Sequence, residues 1–453
     1  MIPRKTIGIY LGLLSLGFLC TTQAHDLNSI EKKKNWTFLT YMAADNDLYP
    51  FADRNIEQMC AIGSNENVNI LVHLDIRKSS NVQLNSTKKK VTKRLLINKK
   101  KIQQIGPDLC MDSGKAETLM DAAKWAIMEF PSDHLAISLW NHGSGALNPK
   151  GRIINPVELF YYDPATSMIN LDRSIAFLEY VTQQNENGRR GVCFDETTGN
   201  YLDDQKLVQA FREIMRLRGG KKVDLVTFDA CLMASIETCK ILAPYADYMT
   251  GSEEVELGTG YPYNAILNPL AQGPISPADF ARHIVATYHT FYHQITRDYT
   301  HSSFDLSKAP SVFTCVENFA TALKEAFVVG QSYEIYEAIS KSRRPYSCTH
   351  FEEPSYIDLG HFCSNMLKNL EDLKNTQKAG SPLFTLALSI QTHCHTCLDA
   401  IRSLVISNVT GNNLAAAQGI SIYFPLDMIH PSYPYTEFGK DSKWLSFLNT
   451  YLS

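Results

Sequence analysis

Two stretches of the chain end an apolar run on a side chain able to do covalent chemistry. Leu135-Ala136-Ile137-Ser138-Leu139-Trp140-Asn141 leads to His142-Gly143, and Val223-Asp224-Leu225-Val226-Thr227-Phe228-Asp229-Ala230 leads to Cys231. A thiol titrates near ~8.5, so Cys231 needs a neighbour that raises its thiolate fraction. A histidine does this, and can pass the proton on to a departing amine. The residues after Cys231, Leu232-Met233-Ala234-Ser235-Ile236-Glu237-Thr238, read as helical. That places the thiol at a strand-to-helix turn, where the helix dipole favours the thiolate. Gly143 lets the backbone come close to a substrate, so its N–H, with that of Cys231, suits a developing oxyanion. Taken singly, a cysteine is more often a core residue and a histidine a polar core residue. The two motifs together carry the assignment.

Such side chains need a scaffold that aims them at one place. Trp36 to Met42, Val68 to Ile76, Leu135 to Trp140 and Val223 to Phe228 are short apolar runs of strand length, rich in β-branched and aromatic residues. Between them, Leu48 to Ile62, Ala116 to Phe130, Asp204 to Leu217 and Leu232 to Leu242 carry helical apolar spacing. This alternation predicts an α/β fold, a mostly parallel sheet with helices on both faces. Ligands in such sheets bind beyond the carboxyl ends of the strands, which is where His142 and Cys231 fall. Lys88 to Lys101 holds eight basic residues around Leu95-Leu96-Ile97. It reads as a solvated hairpin with a lysine-protected edge. After Pro274 the chain turns helical, over Pro277 to Tyr292 and Ser311 to Val329. Two strand-like runs follow, Phe384 to Ile390 and Gly419 to Phe424.

Composition sets the outer bounds. At 453 residues and 44% hydrophobic, the chain is globular and long enough for one large domain with additions or two packed ones. A formal charge of -4 gives no broad footprint for nucleic acid or an anionic membrane. At the N-terminus Arg4 and Lys5 precede the apolar run Ile7 to Cys20 and then Thr22-Gln23-Ala24, the pattern of an export signal cut after Ala24. The reading is a mature protein without a membrane span, secreted or periplasmic. Ten cysteines remain beyond Cys20. If one is a free nucleophile, another must also be unpaired.

An apolar block ending in His-Gly, followed later by one ending in Ala-Cys, resembles the signature of caspases, legumains, gingipains and clostripain-like peptidases. Phe228-Asp229-Ala230-Cys231-Leu232-Met233 is similar to the clostripain family's nucleophile motif, and Tyr41-Met42-Ala43-Ala44-Asp45-Asn46-Asp47-Leu48 to its first strand and turn. Gly191-Val192-Cys193-Phe194-Asp195-Glu196-Thr197-Thr198-Gly199-Asn200-Tyr201-Leu202, Gly251-Ser252-Glu253-Glu254 and Gly419-Ile420-Ser421-Ile422-Tyr423-Phe424-Pro425 extend the match over most of residues 36 to 450. The resemblance implies a caspase-like three-layer α-β-α sandwich. Its domains would be a signal peptide at 1–24, a catalytic domain at 25–275, and a mixed α/β extension at 276–453 that packs on or completes the sheet.

It also implies a cysteine endopeptidase acting on proteins or peptides through an acyl-enzyme, with Cys231 as nucleophile and His142 as its partner. Cleavage after Arg or Lys requires an acid at the base of the pocket, and Asp229 matches the family's position for it. A second acid, expected after the Ser-Glu-Glu segment, has no counterpart in Leu257 to Asn264. Family members can cut themselves between histidine and cysteine; Lys150, Arg152, Arg189 and Arg190 are the candidates here. No cofactor is required. Calcium stimulates some relatives but is assigned no residues, since Glu253, Glu254 and Glu256 are read as solvated. His393-Cys394-His395-Thr396-Cys397 has metal-like spacing but no evident second ligand pair, so an exported disulfide or plain thiols are the reading. Two alternatives share parts of the pattern. One is a binding protein that keeps the scaffold without turnover, the other a transpeptidase in which an amine resolves the acyl-enzyme.

Overall fold

The computed structural model describes residues 33–77, 90–145, 159–172, 191–328 and 332–453. Its centre is a nine-stranded sheet whose inner strands are apolar almost throughout, as strands covered on both faces must be. In chain order the strands are β1 (Lys34–Ala44), β2 (Val68–Arg77), β3 (Lys90–Asn98), β4 (Lys101–Gln104), β5 (Ser132–Trp140), β6 (Phe160–Asp163), β7 (Met168–Leu171), β8 (Val192–Asp195), β9 (Asn200–Leu202), β10 (Val223–Asp229), β11 (Ala246–Gly251), β12 (Thr300–Asp305), β13 (Tyr356–Asp358), β14 (Val405–Thr410) and β15 (Ser421–Tyr423). The large sheet runs β14-β12-β11-β10-β5-β1-β2-β3-β4. The five strands from β11 to β2 are parallel, with antiparallel pairs added at both edges.

Successive residues of β1 point to opposite faces. Trp36 and Phe38 pack into one core with the helices Tyr49–Ile62 and Pro277–Tyr292. Leu39 and Tyr41 pack into the other, beneath the helices Ala116–Glu129, Asp204–Leu217 and Ala309–Val328. Three layers result, and residues 34–453 form one compact unit. From the C-terminal third, β12 and β14 join the large sheet while β13 and β15 pair as a separate ribbon.

Three expectations need correction. The segment Phe384 to Ile390 is not a strand but part of the helix Pro382–Leu404, which Ser381 caps by accepting the Phe384 N–H. A four-turn apolar stripe, Leu383, Ala387, Ile390, Cys394 and Cys397, settles the choice, and a short window cannot show it. The helix after Cys231 starts only at Ile236, where Ser235 caps it by accepting the Thr238 N–H. Its dipole is therefore not centred on the thiol. Finally, the lysine-rich hairpin is only partly solvated. Lys90 is buried, with its ammonium on Asp195, 2.8 Å from Asp75 and 3.9 Å from Asp45.

The C-terminal ribbon is tied to the core by Glu237, whose Oε1 accepts the Tyr423 N–H at 3.1 Å and the Tyr433 hydroxyl at 3.0 Å. Burial pushes its carboxyl up to about 7. The native state thus holds this proton more tightly than the unfolded chain does. The stability linked to it is present below the unfolded value and is lost as pH rises through about 7. In a Cys231→Ala background, Glu237→Gln should remove roughly 2–3 kcal/mol of the fall in unfolding free energy between pH 5 and 8. Urea titrations at both pH values measure it, and an unchanged pH dependence would refute it.

Candidate active site

The central strands bring the reactive side chains together by register. β5 and β10 are parallel neighbours, with Leu139 beside Phe228 and Trp140 beside Asp229. The ladder continues one step, as the Asn141 N–H donates to the Asp229 carbonyl at 3.2 Å. His142 and Cys231 each lie two residues past a strand end, so both enter the same recess. It is lined by Leu48, Trp140, Asn141, His142, Asp229, Ala230, Cys231, Glu256, Leu257, Gly258 and Gly260.

On the other side of β5, β1 delivers a third group. Asp47 Oδ1 lies 2.7 Å from His142 Nε2. The loops after β1 and β5 are fixed by Phe194 in β8. Its N–H donates to Asn141 Oδ1 at 2.7 Å, and its carbonyl accepts from the Asn141 and Asn46 amides at 3.4 and 3.0 Å. Asp47 stands in the quoted motif beside Asp45, but sequence spacing alone did not single it out. Only the adjacency of β1 and β5 does.

Cys231 is buried, with Sγ accepting the Glu256 N–H at 3.2 Å. Burial, the leading cause, pushes its thiol well up; the backbone N–H of Glu256 opposes this, and the carboxyls of Glu256, Glu254 and Glu352 add to it. The residue after it, Leu232, has φ of 62°, a left-handed conformation that a non-glycine residue adopts only where its surroundings enforce it. Gly143 packs against this turn so closely that a Cβ would lie 2.3 Å from the Cys231 carbonyl oxygen. A side chain there would force the two loops apart.

Asp229 lies in the same recess. Its Oδ1 accepts the Tyr261 N–H at 3.1 Å and its Oδ2 the Tyr263 hydroxyl at 2.8 Å. Desolvation pushes it up to about 7 against those hydrogen bonds. Gly260, at φ of 60°, lets the loop cross this carboxylate, since a Cβ there would lie 2.8 Å from both oxygens. Glu253, Glu254 and Glu256 are not solvated, as the sequence had suggested, but buried. Glu256, like Asp47, is a neighbour that sequence spacing does not single out. Neither of its carboxylate oxygens accepts a hydrogen bond among the described residues. Oε1 lies 3.3 Å from His301 Nδ1, on an imidazole that burial keeps neutral. Burial first, and Asp229 second, push the Glu256 carboxyl well above the usual range. Glu256 thus places a second buried carboxyl in the recess beside Asp229, one residue before Leu257.

Lys150, Arg152, Arg189 and Arg190 lie outside the described residues, as does the segment 1–24 read as an export signal. No described helix is long and apolar enough to cross a membrane. Among the described residues, no group of three or more His, Cys, Asp or Glu side chains that could hold a metal ion is found.

A parallel-centred sheet with helices on both faces, carrying histidine and cysteine beyond adjacent strand ends, is the architecture of a cysteine peptidase of caspase-like fold. The chain belongs to the clostripain family, whose sequence model matches residues 40–165 and 179–451. Among solved structures, it is similar to a secreted C11 cysteine protease from Bacteroides thetaiotaomicron bound to an irreversible peptide inhibitor, at 18% identity and a TM-score of 0.54, covering 92% of this chain and 99% of that one. An inactive zymogen C11 protease from Parabacteroides distasonis matches at 16% identity and 0.53, with the same coverages. None of the curated proteins compared with the chain matches it.

Proposed function

We propose that this peptidase is an exported endopeptidase that cleaves after Arg or Lys through Cys231 and His142, and that it matures by cutting itself between them. The observation that supports this best is the recess shared by His142, Cys231 and two buried carboxyls, Asp229 and Glu256. A long cationic side chain laid against both acids would replace the missing hydrogen bonds of Glu256 and set the following carbonyl over the sulfur.

The chemistry follows from the contacts. With Nε2 of His142 held by Asp47, Nδ1 would take the proton from Cys231 as sulfur attacks the carbonyl carbon. The Asp47 carboxylate would then face the imidazolium. The N–H groups of Gly143 and Cys231 would receive the oxyanion, and the same histidine would protonate the amine as the C–N bond breaks. Water then attacks the thioester and frees sulfur.

Gly191 supports the processing step. It is anchored beside the histidine loop, with its carbonyl accepting the Ser144 hydroxyl at 3.2 Å. A cut after Arg189 or Arg190 would release a new terminus next to His142, while Lys150 and Arg152 are the other candidates. The buried thiol of the uncut chain accords with low activity before that event. Export rests on the N-terminal pattern, beside the secreted relative above.

A fluorogenic peptide panel varying the residue before the scissile bond, run with N-terminal sequencing of purified material, tests the reading. Turnover after Arg and Lys by a chain cut within 143–230 is expected. Turnover only after other residues would discard the basic pocket, and full activity from an intact chain would discard the processing.

A further inference from the structure

The CxxC segment Cys394–Cys397 has a second cysteine pair near it after all. Cys394 and Cys397 sit three apart on the helix Pro382–Leu404 and share its buried face. His393 and His395, the other half of the metal-like pattern, are half-buried and exposed. Two further helices pack against this one, Ala309–Val328 with Cys315 and Leu359–Asn375 with Cys363. The four are free thiols whose hydrogen-bond contacts link them in a row, Cys315 with Cys397, Cys397 with Cys363, and Cys363 with Cys394.

A zinc ion bound by four thiolates at ~2.3 Å needs every sulfur adjacent to the other three. A row does not offer that, and no metal-type cluster is found among the described residues. It does offer pairing, and an unbranched row of four can be paired completely in one way only. We infer that this cluster is a two-disulfide staple, Cys315–Cys397 and Cys363–Cys394, which crosslinks three helices of the C-terminal part.

The row also explains how buried thiols are reached. Cys315 is half-exposed, whereas the other three are fully buried. A disulfide-bearing oxidant, such as oxidised glutathione or a thiol–disulfide oxidoreductase, is attacked by Cys315 and releases one thiol. Cys397 then displaces the second, and the pair has given up two protons and two electrons to the oxidant. Cys363 can attack Cys397, and Cys394 then Cys363, so the bond migrates inward and leaves Cys315 and Cys397 reduced. A second oxidant molecule closes them.

The inference draws on the export reading only for where the oxidation takes place. Full-length Cys231→Ala protein, purified reduced and then treated with oxidised glutathione, separates the two. After alkylation in denaturant, mass spectrometry should show the four cysteines unmodified and the linked peptides 315–397 and 363–394. Reduction should lower Tm by roughly 3–8 °C. In Cys315→Ser, the folded protein should leave the inner three reduced. A final 363–397 link, full alkylation of all four, or one zinc per chain would each overturn the inference. Material from the exported fraction should carry the same links. Reduced exported material beside correct pairing in vitro would sink the export reading and keep the staple.

Discussion

Cys231→Ala should lower kcat/KM for any peptide substrate by at least about 10⁴-fold, His142→Ala should do likewise, and the double variant should be no worse than either alone. The non-additivity arises because sulfur and imidazole act in one proton transfer, so losing either removes the same step. Both positions lie on loops fixed by Phe194 and by the β5–β10 register rather than by the deleted atoms, so the fold should survive. Asp47→Asn should lower kcat by up to about 10⁴-fold with KM unchanged, because the amide no longer offsets the imidazolium charge and can hold the ring in the wrong tautomer. Rates are read on an Arg substrate after the chain has been nicked in trans, which keeps failed self-processing from imitating failed chemistry. Turnover surviving in Cys231→Ala would sink the nucleophile. A change in KM alone for Asp47→Asn would mark that residue as part of the substrate pocket.

The parts of the candidate site whose placement was legible in the sequence are those written by a single strand end. His142 and Cys231 each follow an unbroken apolar run, and a buried parallel strand can point its next polar residue only into the crevice beyond the sheet. What escaped depends on which strands become neighbours. Asp47 meets His142 because β1 lies against β5. Glu256 reaches the recess because the loop after β11 folds over the end of β10, with its N–H on the Cys231 sulfur. In sequence it is one of three acids in a run of polar appearance, and solvent is the ordinary place for such a residue. The cysteine row is the same lesson at longer range. Cys315 and Cys363 are far from Cys394 in the chain and meet it only through helix packing. The misplaced dipole has a local cause instead: Ser235 is a good cap, and it starts the helix later than apolar spacing alone suggests.

Asp229→Asn and Glu256→Gln should each cost about 10²–10³-fold in kcat/KM for substrates with Arg before the scissile bond, and little for norleucine. The two acids share one buried recess, and each makes ionisation of the other harder. Asp229 is pushed up to about 7, and Glu256 well beyond the usual range, by burial first and Asp229 second. Both shifts favour the protonated carboxyls while the pocket is empty. A guanidinium entering it favours the carboxylates and expels a proton, so the preference for Arg must strengthen as pH rises through about 7 and fade below it. Dividing the Arg profile by the norleucine profile isolates this effect, because the ionisations of Cys231 and His142 enter both and cancel. The ratio should climb between pH 6 and 8 in the wild type and flatten in both variants. Norleucine turnover serves as the folding control, since Asn at 229 can still accept the Tyr261 N–H and meet the Tyr263 hydroxyl. An Arg preference intact in Glu256→Gln would reduce the pocket to Asp229 alone. A ratio that does not vary with pH would show that the cation is read elsewhere.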